Sequence, residues 1–477
     1  MANLTGTGGA DSLTGGDEAD SIVGFAGNDT LNGAGGNDTL EGNQGADRLT
    51  GGAGADLVYG GKDADVIPGA AGADTLFGNA DNDTIDGNDD PDTVRGGQGD
   101  DVLAGSAGND DVRGDEGNDS LLGGAGNDLV VGDFLREEGS PAVGHDTIQG
   151  GQGNDTILPG LGNDSVLGNL GDDLIIDDDG DDQMLGGGGA DSIVGGGGND
   201  VLFGDARPSE DTTAGSGNDT IFGGEGHDTI NPGPGNDVVV GDLGDDSIYD
   251  DGGNDTVLGF KGTDFINGGP GNDFLNGGEN DDTEFGPDFV FGDEGNDTVR
   301  GGAHRDLVQG NAGNDSVLGD LGNDTVRGGA DDDTTEGGEG DDFVLGDKGN
   351  DSVFGNAGAD TLIAGEGNDH LEPGAGSDLV LIVKKDIVIG NLLGLKADTS
   401  IGDDSVVGFA AGTDIVKIPQ GYAGLQISSP ADLAARITDV GGSARTDLGT
   451  GGSLTFFEIP AATVKAHPEQ YFMFYDG

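Results

Sequence analysis

An aspartate returns every nine residues along most of the chain, and no other feature limits the fold so tightly. The first series is Asp11, Asp20, Asp29, Asp38, Asp47, Asp56, Asp65, Asp74, Asp83, Asp92, Asp101, Asp110, Asp119 and Asp128. After an interruption come Asp146, Asp155, Asp164, Asp173, Asp182, Asp191 and Asp200. A third series runs Asp219, Asp228, Asp237, Asp246, Asp255, Asp264, Asp273 and Asp282. The last is Asp288, Asp297, Asp306, Asp315, Asp324, Asp333, Asp342, Asp351, Asp360, Asp369 and Asp378. Two residues after each aspartate stands an apolar side chain, as at Leu13, Ile22, Leu31 and Leu40; Glu284 and Thr335 break this rule. Glycines precede it, as Gly33, Gly35 and Gly36 precede Asp38. The unit is G-G-x-G-x-D-x-U-x with U apolar, and a short period held this long marks a repeat architecture.

Glycine-rich loops permit positive φ and close backbone approach. The D-x-U-x stretch, rich in Thr, Val, Ile and Leu, suits a strand of three or four residues. The glycine density excludes helix.

From about residue 5 to 380 the nonapeptide resembles the RTX (haemolysin-type) calcium-binding repeat. The resemblance implies an all-β chain: a long parallel β-roll, a right-handed solenoid with two nonapeptides per turn and Ca²⁺ in the loops between turns. One unit holds a single obligatory apolar position and cannot bury a core alone. In stacked turns Leu13 meets Leu31 and Ile22 meets Leu40. Every aspartate of the four series is then a candidate metal ligand, with roughly one Ca²⁺ per repeat.

Charge agrees. The 477 residues carry 93 acidic and 18 basic groups, a formal charge of −75, with 104 glycines. Repulsion and glycine entropy outweigh a thin aliphatic core, so the chain is not expected to fold unaided. At the family's stoichiometry, bound Ca²⁺ would supply roughly +70, and carboxylate and carbonyl oxygens are the hard ligands it prefers.

Cysteine is absent, which removes disulfides and thiolate zinc sites. Met1 to Gly6 shows neither a basic nor an apolar stretch of the Sec type. No segment reaches the roughly 18–20 apolar residues of a membrane span. An extended chain in a calcium-poor cytosol that folds outside is expected, and the resemblance implies type I secretion with an uncleaved C-terminal signal.

Residues 1–380 are read as the roll and 381–477 as a small β-rich capping and secretion region. There, Asp403 to Phe409 and Gly412 to Ile418 resemble the segment that follows RTX rolls. A short helix is expected over Ala431–Ile437, with Ser429 as N-cap and Pro430 at its first position. Leu448 to Phe457 reads as a glycine-turn hairpin, followed by Tyr471, Phe472, Phe474 and Tyr475.

Three interruptions are expected in one continuous solenoid. Between Asp128 and Asp146, Phe134 to Pro141 replaces one repeat. Ala206 to Asp211 adds one residue before Asp219, and the repeat between Asp282 and Asp288 is three residues short. Pro141 and Pro208 cannot donate to a ladder, so these pieces are expected to bulge outward.

Sequence motifs for catalysis are missing. None of His145, His227, His304, His370 and His467 begins H-E-x-x-H, and no G-x-S-x-G occurs. His145 and His227 take the loop slot before a key aspartate, where Asn is usual. The charge repels nucleic acid.

The expected function is a secreted structural protein that self-assembles into a surface layer, sheath or filament, as the resemblance to RTX-type surface-layer and oscillin-like proteins implies. Expected partners are copies of itself, head to tail and laterally, the type I secretion machinery, and cell-surface polysaccharide. The alternatives are a soluble calcium-dependent adhesin or binding module and, more weakly, an enzyme with a site in the C-terminal region. About twenty turns at about 4.8 Å would make a rod roughly 95 Å long. Leu158, Ile176 and Val194, with Leu167, Leu185 and Phe203, and then Phe222, Val240 and Leu258, are expected to form outward apolar stripes.

Overall fold

Alternation of one apolar residue with polar neighbours gives a strand one buried face, and parallel stacking lets that face recur in register. The computed structural model describes residues 2–133, 144–205, 217–278 and 286–381. Towards the C-terminus it describes 403–406, 415–419, 430–440, 443–447, 453–456, 459, 461–466 and 468–475. The chain packs as two units, Met1–Leu243 and Gly244–Gly477, and the expected boundary at residue 380 falls inside the second.

In the first unit, β1 (Asn3–Thr5), β2 (Ser12–Thr14), β3 (Ser21–Ala26), β4 (Thr30–Gly35), β5 (Thr39–Gln44) and β6 (Arg48–Ala53) alternate between two sheets. β1 pairs in parallel with β3 and β3 with β5, while β2 pairs with β4 and β4 with β6. Leu13 is opposite Leu31 and Ile22 opposite Leu40, which is the eighteen-residue stacking expected of two repeats per turn. Ile22, Leu31, Leu40 and Leu49 are 0 % exposed, and the residues on either side of each face outward.

Most strands are longer than the three or four residues expected. In β4 and β6 the register covers Thr30 to Asn32, omits Gly33, and resumes with Ala34 opposite Gly52 and Gly35 opposite Ala53. The backbone bends at the glycine and keeps its ladder through the loop. Six-residue strands shorten to three where Pro159 or Asp177 takes that glycine's place, at Thr156–Leu158 and Leu174–Ile176.

In the second unit Val299, Val317, Thr335 and Val353 stack on one sheet, and Val308, Val326, Val344 and Leu362 on the other. The C-terminal strands extend both sheets. Asp403–Val406 pairs with His370–Glu372, and Ile415–Pro419 with Leu379–Leu381. The aromatic run enters Phe472–Tyr475, which pairs in parallel with Ile415–Pro419. Ser443–Asp447 and Ser453–Phe456 form the expected hairpin, whose glycine turn lies outside the described residues. The helix is shorter than expected: α1 covers Pro430–Ala434, because Ile437 already begins a strand; Ser429 lies outside the described residues. A second helix, α2 (Ala461–Ala466), was not anticipated; it buries Ala461 and Val464.

The interruptions differ from their expected form. Asp119 hydrogen-bonds Asp146, twenty-seven residues on, so the first excursion is nine residues added to a turn and no repeat is replaced. Asp191 bonds Asp219 across twenty-eight residues, an addition of ten to the usual eighteen. Asp264 bonds Asp288 across twenty-four residues, so Asp288 holds the slot that nine-residue counting assigns to Asp282. Asp282, Pro141 and Pro208 lie outside the described residues.

Candidate metal sites

Each key aspartate ties its own turn to the next. The backbone N–H of Asp29 donates to Oδ1 of Asp47 at 2.7 Å, and that of Asp38 to Oδ1 of Asp56 at 2.7 Å. The bond recurs from Asp146 to Asp164 and from Asp306 to Asp324. The backbone carbonyl of Asp29 accepts from the N–H of Arg48. Apart from Asp11, which is partly exposed, every described aspartate of the four series is buried.

This leaves the second carboxylate oxygen. Oδ2 of Asp29, Asp38, Asp47, Asp164 and Asp306 is buried without a hydrogen-bond partner. An orphaned charged oxygen is costly unless something satisfies it. The glycine four residues after a key aspartate shows what surrounds it. A Cβ at Gly33 would fall 2.3 Å from Asp38 Oδ2 and 2.4 Å from the carbonyl oxygen of Gly51, one turn further on. At Gly42 the equivalent distances are 2.4 Å to Asp47 Oδ2 and 2.6 Å to Gly60 O. Carboxylate and carbonyl oxygens thus crowd a cradle that no side chain can enter. The loop also needs left-handed backbone: Gly36 has φ +102°, and Ala34 takes φ 75° despite its Cβ.

The column is electrostatically unfavourable by itself. Burial, reinforced by neighbouring aspartates, pushes the carboxyl of Asp65 up to about 7 and those of Asp83 and Asp146 to about 8, although the backbone N–H of the preceding turn pulls each back down. Asp20 goes the other way, because the N–H groups of Ala2 and Gly16 donate to its carboxylate and outweigh desolvation. Hard oxygens in irregular loops, orphaned and negatively charged, fit Ca²⁺. The Oδ2 atoms and glycine carbonyls would hold the ion, which would neutralise the column.

The RTX calcium-binding nonapeptide repeat (4 copies) matches in successive stretches, beginning with residues 5–40, 32–67 and 41–76 and ending with 284–317, 309–344 and 345–380. The chain belongs to this family. The RTX repeat binds calcium, and proteins that carry it are generally secreted. No curated protein matches the chain. No described helix is long and apolar enough to cross a membrane.

The outer edge of the RTX loops carries a second ladder. Where Asn, Asp or His stands before a key aspartate, its side chain can accept the N–H of its counterpart one turn on, as Asn127 accepts from Asn154 and Asn109 from Asn127. His145 takes this slot as expected: its N–H donates to Asn118, and its Nδ1 accepts from the Asn163 N–H at 2.7 Å. His227 donates likewise to Asn199.

Among the described residues sequence reading missed five buried acids, Asp115, Asp133, Asp177, Asp205 and Asp250. Asp133 accepts from Gly144, and Asp205 from Gly217, so each closes the base of an excursion. Asp177 stands in the glycine slot after Asp173, and acidity at that slot was its visible signal.

Proposed function

We propose that the chain is a secreted structural protein that folds on meeting extracellular calcium and assembles with its own copies into a surface layer, sheath or filament. The apolar stripe on the outer face of the first unit carries this reading. On one sheet Ile176 lies opposite Val194, Val194 opposite Phe222, and Phe222 opposite Val240. On the other, Leu167, Leu185 and Phe203 stack in successive turns. Ile176 is 38 % and Phe222 40 % exposed, in a protein whose surface is otherwise dominated by acids. A contiguous exposed apolar strip of this kind suits contact with another protein surface.

Electron microscopy of the purified chain in millimolar calcium tests the proposal. Ordered sheets or fibres that vanish in the Ile176→Ser, Phe222→Ser double variant, while calcium-induced β-structure survives, are expected. Dispersed single particles of the unmodified chain at high concentration would overturn it in favour of a soluble binding module.

A further inference from the structure

Asp177 breaks the repeat in a chemically specific way. The slot four residues beyond a key aspartate is glycine in the repeats before and after it, at Gly168 and Gly186. There a Cβ would strike the next aspartate, at 2.4 Å from Asp173 Oδ2 and 2.3 Å from Asp191 Oδ2. Asp177 puts a whole carboxylate in that space, and the strand before it ends at Ile176 after three residues.

The extra carboxylate is aimed inward and fixed. Its Oδ1 accepts the N–H of Asp178 at 2.8 Å and of Gly160 at 3.1 Å. Its Oδ2 has no hydrogen-bond partner, and the residue is 4 % exposed. Asp164 and Asp182, key aspartates of adjacent turns, are 4 % and 1 % exposed, each with an Oδ2 also lacking a partner. One oxygen from each of Asp164, Asp177 and Asp182 lies within 4.8 Å of the others. No other set of three acids contained in the first unit does this among its described residues. Burial and the charge of Asp182 raise the affinity of Asp177 for a proton, as expected where anions are gathered without a counter-charge.

We propose that Asp164, Asp177 and Asp182 form a three-carboxylate calcium site that fills at lower calcium than the ordinary loops and starts the ordering of the first unit. Affinity in oxygen-ligand calcium sites rises with the number of charged ligands and with site rigidity; here a third carboxylate is added, held in place by two backbone N–H groups. Magnesium demands near-octahedral geometry and keeps its waters, which suits a buried pocket of this kind poorly. In a solenoid, a turn ordered first is the one on which its neighbours build.

Hydrogen-exchange mass spectrometry on the full chain, at stepped free calcium, reads each turn separately. Peptides covering residues 160–185 should gain protection at calcium about tenfold lower than peptides covering residues 30–60. Asp177→Gly puts in place the glycine that most repeats, including those at Gly168 and Gly186, carry at this slot, and so keeps the fold. It should bring the two midpoints together, and Asp177→Asn, which keeps the size but not the charge, should do the same. Coincident midpoints in the unmodified chain, or an unchanged early midpoint in Asp177→Gly, would overturn the site. Protection of every peptide in chelator would overturn calcium-driven folding itself, a result distinguishable from both.

Discussion

The backbone N–H of Asp47 donates to Oδ1 of Asp65 at 2.7 Å, while Oδ2 of Asp65 is buried with no hydrogen-bond partner. One half of the carboxylate builds the ladder and the other half asks for a cation. Repeated turn after turn, this division makes the fold conditional on the ion.

Acidity should substitute in part for calcium. Burial raises Asp65 to about 7 and Asp83 to about 8 from an ordinary 3.8, so the ion-free roll binds more protons than the unfolded chain. Stability from these groups is therefore complete below about pH 4 and is lost as pH rises through about 7 to 8. In chelator, β-structure should be present at pH 4.5 and absent at pH 8 by circular dichroism. In calcium the midpoint concentration should rise as pH falls from 8 to 6, with proton release on binding.

The two small residues Gly33 and Ala34 should respond oppositely to exchange. Gly33→Ala places a methyl 2.3 Å from Asp38 Oδ2 and 2.4 Å from Gly51 O, and should weaken calcium protection in the turns around residue 33. Ala34→Gly relieves a residue held at φ 75° and should stabilise the same turns by about 1 kcal/mol. Local hydrogen exchange at saturating calcium measures both.

Thr335 sits in the apolar column between Val317 and Val353, fully buried, and its hydroxyl has no hydrogen-bond partner. Thr335→Val removes the orphaned hydroxyl with little change of shape. It should stabilise residues 325–345 by about 1–2 kcal/mol, read as slower exchange there.

Loss of one ordinary ligand should stay local. Asp306 accepts from the Asp288 N–H and donates its own to Asp324. Because each turn contacts only its neighbours, Asp306→Ala should expose amides within about one turn on either side and leave residues 30–60 protected at saturating calcium. Global unfolding of the variant would show a cooperativity that nearest-neighbour coupling does not supply.

The roll was legible because its period is short and its apolar residue invariant: Leu31 could only stack on Leu13 and Leu49 once two repeats make a turn. His145 was readable for the same reason, since an imidazole Nδ1 can accept the N–H that an Asn side chain accepts elsewhere. The interruptions were misread because counting gives spacing and not register. The bond from Asp119 to Asp146 exists because nine residues can be set aside at the base that Asp133 closes, a tertiary fact. Strand length was underestimated because the ladder resumes beyond Gly33, in residues whose side chains give no strand signal. Asp177 was hidden among many acids: its one sequence signal is its place in a glycine slot, and its burial beside Asp164 and Asp182 separates it from a solvated loop residue.

Far-ultraviolet circular dichroism of the full chain at pH 8, in chelator and in millimolar calcium, tests most directly whether calcium makes the fold. The account predicts a disordered spectrum in chelator and a strongly β spectrum in calcium, reversible on adding chelator. The same strongly β spectrum under both conditions would contradict it.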